Sequence, residues 1–215
     1  SVNLKGTLNM LELARKYDVT NFVFASSSSV YGINKKVPFS EDDPVNEQVS
    51  PYGVTKRAGE LYCHCYHHLY GLKITCLRFF TVYGPGGRPD MAPYLFTRWI
   101  DEGKELKKFG DGTTKRDYTF ITDIIDGVVA ALEKDLDFEI INLGNSEPVE
   151  LNHFISVIEE SVGKKAIIKQ MPMQPGDVPI TYADTSKAEK LLGYKPKVSI
   201  EEGMEKFVEW YKNER

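Results

Sequence analysis

The chain has 215 residues, 41% of them hydrophobic, and 27 basic against 31 acidic side chains give it a net charge of −4. That length buries a full core for one domain, or for one domain and a small lobe. The mixed charge leaves no basic footprint for nucleic acid; no apolar run is long enough to span a membrane, no signal-peptide pattern opens the chain, and three cysteines are too few for a secreted disulfide framework, so a cytoplasmic protein is expected.

Leu4, Leu8, Leu11 and Ala14 recur at helical spacing and predict an amphipathic helix over residues 3–17. "NFVFAS" (21–26) reads as a buried strand, and residues 33–49, rich in Pro, Lys, Asp and Glu, as a loop. Pro51 suits a first helical turn, and the helix it opens runs to about Tyr70, with Gly71 as its stop. "KITCLRFF" (73–80) is the next strand, and residues 81–91, loaded with Gly and Pro, read as a loop. A helix from about Pro93 to Glu102, a strand near residues 106–109, a turn at "GDGT" and a strand at "RDYTFI" follow. Residues 122–134 read as a helix, "FEIINLG" as a buried strand, and 151–162 and 185–192 as helices stopped by Gly163 and Gly193. Ser199 and Glu202 open the last helix at capping-box spacing. Strands alternating with helices imply βαβ units and a parallel sheet, whose ligands bind at the carboxyl ends of the strands.

Three polar segments fall at such ends: the serines after "NFVFA", Thr81 after "LRFF", and residues 142–145 after "FEII". "SPYGVTK" (50–56) adds Tyr52 and Lys56, four apart and so on one helix face. An ordinary tyrosine, with a pKa of about 10, is a poor base at neutral pH, and a fixed positive charge beside it favours the phenolate. The spacing alone fits either a surface helix or a proton-transfer pair. "CHCYHH" (63–68) puts Cys63 with His67 and His64 with His68 on shared helix faces, but no second ligand pair follows at zinc-site spacing, so no metal is expected.

"NFVFASSSSVYG", "SPYGVTK", "LRFFTVYGPGGRPDM", "FGDGTTKRDYTFITDIIDG" and "QPGDVPITYADTSKAEKLLGYKP" together resemble the extended short-chain dehydrogenase/reductases, in that family's order and spacing and over essentially the whole chain. Within it they look most like the NAD-dependent nucleotide-sugar epimerases, and "RFFTVYGPGGRPDM" most like UDP-glucuronate 4-epimerases. The resemblance implies an α/β fold: half of a Rossmann-like parallel sheet (1–81 and 117–146) carrying the catalytic residues, with a small α/β sugar-nucleotide lobe (82–116 and 147–215). It implies NAD as cofactor, with Ser27, Tyr52 and Lys56 catalytic and Ala25, Tyr52, Lys56 and Phe80 against the cofactor. Phe80 is otherwise a core aromatic.

Ser27, Ser28, Ser29, Tyr52, Thr81, Arg88, Arg116 and Asp177 are the implied substrate contacts. By resemblance Ser28, Ser29 and Thr81 hold a sugar carboxylate, the two arginines the diphosphate, and Asp177 the nucleotide ribose. Gln174 stands where some relatives have an arginine, which removes one phosphate contact. Dehydratases and decarboxylating members place an acid just after the catalytic Ser/Thr; Ser28 and Ser29 there argue against both. The implied reaction is epimerisation of a UDP-sugar at carbon 4 through a 4-keto intermediate, UDP-glucuronate to UDP-galacturonate. The alternatives are a UDP-glucose 4-epimerase, or a non-catalytic chain that keeps sugar-nucleotide binding or needs a partner. The partners expected are the UDP-sugar and a second copy, in a homodimer through the helices at 3–17 and 51–70, with neither nucleic acid nor membrane. The family's opening strand, Gly-rich turn and helix, which hold the NAD pyrophosphate, have no counterpart here. The chain is thus expected to correspond to the second part of such an enzyme.

Overall fold

The computed structural model describes residues 2–173 and 178–214 and divides into two compact units. The first comprises Ser1–Phe80, Ile124–Gly144 and Ala183–Lys195; the second comprises Thr81–Asp123, Asn145–Tyr182 and Pro196–Arg215. Residues 183–195 therefore pack with the first unit, not with the lobe to which the sequence reading gave them, and 117–123 with the second. A parallel bridge between Phe39 and Ala183 and an ion pair between Lys187 and Glu139 attach that later segment.

In the first unit a wide π-type turn (Val2–Gly6) leads into α1 (Thr7–Lys16), β1 (Phe22–Ser27), a single 3-10 turn (Ser28–Tyr31) and α2 (Pro51–Tyr70). The hydroxyl of Ser50 caps α2 by accepting from Gly53 N at 3.0 Å, and Gly71 ends it in the left-handed conformation. β2 (Ile74–Phe79) lies between β1 and β6 (Phe138–Leu143), all parallel, in the register Ser26 to Arg78 to Asn142. The core under this sheet includes Leu11, Phe24, Cys63, Ile74 and Cys76. α2 lies very close to β1: a Cβ on Gly59 would stand 2.3 Å from the Phe24 ring. His64 and His67 pack on the Phe138 ring, at 5.2 and 5.4 Å between centroids.

The second unit starts with β3 (Thr81–Tyr83), a short strand where the sequence suggested only loop. It forms because residues 81–83 pair with Tyr118–Phe120 before the glycines begin. α3 (Ala92–Asp101), β4 (Glu105–Phe109) and β5 (Lys115–Phe120) follow, and α4 (Ile121–Glu133) leads back into the first unit. β7 (Pro148–Glu150) pairs antiparallel with β5, β9 (Ile180–Thr181) parallel with it, and β8 (Ile167–Met171) parallel with β4. The sequence does not announce β7 and β9, since three and two residues are too few for a period to register, nor does the sequence reading include β8. α5 (Leu151–Val162) and α7 (Ile200–Asn213) cover a core that includes Leu106, Phe154, Ile158, Met204 and Phe207. The helix at 185–192 is α6 (Ser186–Leu192). Ser199 caps α7 through Glu202 N at 3.2 Å, as the capping spacing implies.

Candidate active site

The end of β1 and the start of α2 bring the first group of expected site residues together. Ser27 closes β1 and, in the same step, caps the 3-10 turn: its Oγ accepts from Ser29 N at 3.1 Å and donates to Ser29 Oγ at 3.2 Å. Ser27 is buried, while Ser28 and Ser29 are half-buried. The turn presses on the first turn of α2: a Cβ on Gly53 would stand 2.6 Å from the Ser29 carbonyl oxygen. Only glycine permits that approach, which sets Tyr52 beside the serines. The Tyr52 side chain remains open to solvent, with 48% of the residue exposed.

One turn later, Lys56 reaches back to the sheet. Its Nζ donates to the Ala25 carbonyl at 2.8 Å and lies 5.6 Å from the centre of the Tyr52 ring. Burial lowers the pKa of this ammonium below the usual lysine value. The group has three donors and spends one on Ala25, so the pair presents a phenol and an ammonium side by side near the end of β1. Such an arrangement can exchange a proton at the phenol oxygen and hold vicinal hydroxyls at the ammonium. Phe80 is buried, 6.3 Å from the Tyr31 ring and 6.2 Å from that of Phe39.

Thr81, Arg88 and Arg116 belong to the second unit. Thr81 is half-buried at the start of β3. Arg88 is exposed and donates from Nε to Asp90 Oδ1 at 3.0 Å. Arg116 is half-buried on β5, its Nη1 donating to the carbonyls of Val178 and Lys115 at 2.7 and 2.9 Å. It borders a small cavity lined also by Lys107, Phe109 and Tyr118. Asp177 and Gln174 lie outside the described residues. Among the described residues no cluster of three His, Cys, Asp or Glu side chains is placed to hold a metal ion, and no helix is long and apolar enough to cross a membrane.

Sequence reasoning missed one group close to the site. Ser26, Arg78 and Asn142 form a buried polar row across the three parallel strands, one residue inside their carboxyl ends. Glu60 of α2 accepts from Ser26 Oγ at 2.6 Å and from Arg78 Nε and Nη2 at 2.9 and 3.0 Å. Arg78 also lies under the Tyr31 ring, 4.9 Å from its centre, and the Tyr31 hydroxyl donates to Asn142 Oδ1 at 2.7 Å. Burial pushes the Tyr31 phenol up to about 12. The available signal was Arg78 itself, a charge in the middle of an apolar strand, which demands a buried partner.

A family model described as "NAD dependent epimerase/dehydratase family" matches residues 1–144. The chain is 57% identical to an uncharacterized protein of Methanocaldococcus jannaschii over 97% of its length, and 49% identical to a UDP-glucuronate 4-epimerase of Thermodesulfobacterium geofontis over 98%. It spans 64% and 65%, respectively, of those relatives' own lengths. A crystal structure of UDP-glucuronic acid 4-epimerase from Bacillus cereus, in complex with UDP-glucuronic acid and NAD, superposes with a TM-score of 0.92 at 42% identity, covering 99% of this chain and 68% of that one. With the match extending over two thirds of the sequence and through the strand end and helix that carry Ser27, Tyr52 and Lys56, the chain belongs to the NAD dependent epimerase/dehydratase family.

Proposed function

We propose that this chain provides the catalytic and sugar-nucleotide-binding part of an NAD-dependent epimerase that inverts carbon 4 of a UDP-sugar, UDP-glucuronate to UDP-galacturonate. The observation that carries the reading is the Lys56 bond to Ala25, which holds Lys56 and Tyr52 of α2 over the strand end that bears Ser27. A half-buried ammonium beside an open phenol suits the nicotinamide ribose of NAD, with Ala25, Phe80, Tyr52 and Lys56 as the residues that would hold that end. A bound NAD would supply the reversible hydride acceptor that inversion at a carbinol carbon requires.

The chain's own residues handle the proton. Tyr52, as phenolate, takes it from the 4-hydroxyl to become the phenol and gives it back when the hydroxyl re-forms. Ser27 Oγ, turned from Ser29 toward substrate, donates to the same sugar oxygen and meets the charge that develops there. Lys56 keeps a positive charge beside the phenol. Ser28, Ser29 and Thr81 hold the sugar carboxylate by neutral hydrogen bonds, and no acid stands among them to repel it. A 4-keto uronic acid is a β-keto acid prone to lose carbon dioxide, so a firm hold on the carboxylate serves the chemistry. Arg88 and Arg116 bind the diphosphate, because guanidinium matches phosphate bidentately, and Asp177 the ribose of the nucleotide.

The exposed Met10 and Leu13 of α1, Tyr17 just after it, and Leu61, Tyr62 and Leu69 of α2 support a homodimer through these helices. Light scattering on the purified protein reads this directly, and a monomer at micromolar concentration would refute it.

The decisive experiment compares kcat/KM for UDP-glucuronate and UDP-glucose in the enzyme extended to its relatives' full length. A preference for UDP-glucuronate is expected, and Thr81→Ala should weaken it by roughly tenfold or more, since a site built to bond a substrate group discriminates against an analogue lacking it. Preference for UDP-glucose would move the assignment to a UDP-glucose 4-epimerase. Turnover of neither, with UDP-sugar still bound, would leave a non-catalytic binding chain.

A further inference from the structure

A charged pair inside a small sheet is costly. Glu60 and Arg78 are each 1% exposed, and their hydrogen bonds offset the cost of taking both charges out of water only in part, since Arg78 Nη1 is buried without a hydrogen-bond partner. Both oxygens of Glu60 are engaged: Oε1 accepts from Ser26 and Arg78 Nε, and Oε2 from Arg78 Nη2 and, at 3.0 Å, from Arg57 Nη1. Burial works against ionisation of Glu60, but the bonds and charge of Arg78, with Ser26 and Arg57, outweigh it and hold the carboxyl below its usual range.

The placement of these partners is informative. Glu60 follows Lys56 by one turn and Tyr52 by two, so the three side chains share one stripe of α2. Ser26 lies between Ala25, which binds Lys56, and Ser27. Arg78 is the β2 residue in register with Ser26, and it supports the ring of Tyr31, the last residue of the turn that carries Ser28 and Ser29. One carboxylate thus joins the helix that bears Tyr52 and Lys56 to the strand end that bears Ser27. An apolar trio of the same volume would hold the elements together about as strongly, but without a directional contact to fix their offset.

We propose that Glu60, bound by Ser26 and Arg78, is a positioning residue that sets the Tyr52–Lys56 face of α2 against the Ala25–Ser27 end of β1. This rests on the reading that Ser27, Tyr52 and Lys56 act on one substrate. Its geometric content stands without that reading, because the network fixes the relative placement of two elements whatever they act upon.

The test uses Glu60→Gln, Ser26→Ala and the double variant Glu60→Leu/Arg78→Met. In the full-length enzyme, Glu60→Gln should lower kcat about 10²-fold, as a displacement near 1 Å of a catalytic group does. KM for the UDP-sugar should stay within about twofold, because binding contacts are untouched. Ser26→Ala, which cuts only the tie to β1, should lower kcat by about tenfold. The double variant should melt no earlier than the parent yet keep the kcat loss, since an apolar pair restores stability without direction. Parent-like kcat in the double variant would show that the network only stabilises, and would overturn the proposal. Hydrogen exchange on the 215-residue chain gives a readout independent of turnover. Glu60→Gln should speed exchange at Ser29 and in the first turns of α2 while leaving α5 unchanged, and uniform acceleration would overturn the local coupling. A parent enzyme that turns over no UDP-sugar refutes the proposed function, and the exchange result then still decides the positioning role.

Discussion

Glu60 of the first unit and Asp117 and Asp123 of the second are all buried but are held in different ways. In the first, Glu60 is met by side chains from α2, β1 and β2. In the second, Asp117 accepts from Asn145 N and Ser146 N at 2.7 and 3.1 Å, and Asp123 from Lys197 N and Val198 N, both at 3.0 Å. Backbone amides at those points are the connections entering β7 and α7. Asp117 also anchors Ser146, a non-glycine residue at φ 63°, in a conformation that side chains rarely adopt. A carboxylate that binds amides pins a turn, and one that binds side chains on separate elements fixes how those elements lie on each other. Glu60, of the second kind, lies in the unit that holds the proposed proton-transfer groups.

The contrast breaks most sharply at Tyr52. In the full-length enzyme Tyr52→Phe should cut epimerisation by ~10²–10⁴-fold, the usual worth of a general acid/base, while leaving UDP-sugar affinity unchanged. Wild-type turnover in that variant would remove Tyr52 from the chemistry. Asp123→Ala should do the opposite. It strips two amides of a charged acceptor at a buried position and should cost about 3 kcal/mol of stability, with kcat per folded molecule unchanged. Denaturant titration alongside initial rates checks both halves; a kcat loss comparable with that of Tyr52→Phe would place Asp123 in the machinery and erase the distinction.

The sequence was informative where a signal is local. Gly71, Gly163 and Gly193 stop helices in the left-handed conformation as their positions implied, and Pro51 opens α2. The strand end at Ser27 and the Tyr52–Lys56 spacing could be read for the same reason, since each depends on residues a few positions apart. Signals that depend on distant pairing were silent. β3 exists because residues 81–83 meet Tyr118–Phe120, and nothing within residues 81–83 announces that partner. The capture of residues 183–195 by the first unit rests on Phe39 and Glu139, more than 40 positions away. The Ser26–Glu60–Arg78 group escaped because two of its members are unremarkable singly: a serine among serines, and a glutamate on a helix with both charged and apolar residues. Arg78 alone was out of place by hydropathy, and its meaning appears only when the register sets it beside Ser26.

The smallest effect tests by pH whether Glu60 is held as a charge. Glu60 has a pKa lowered from an ordinary value of 4.5 in the folded chain, so over the window between the folded pKa and 4.5 the unfolded chain binds the extra proton. Its contribution to stability is therefore complete above pH 4.5 and is lost as pH falls through the folded value. Other carboxylates slope the same way: Asp43 is lowered by Lys36, Ser40 and Asn34 against its burial, and Glu159 by Lys165 and Ala166 against its own. Only the difference between parent and variant isolates Glu60. Glu60→Gln, which cannot ionise, should be less stable than the parent at pH 7, and the gap should narrow as the pH falls from 5 toward 3. Urea midpoints measured at half-unit steps across that range decide the point. A gap that stays constant with pH would mean that Glu60 is not held as a charge, and that its four hydrogen bonds are those of a neutral acid.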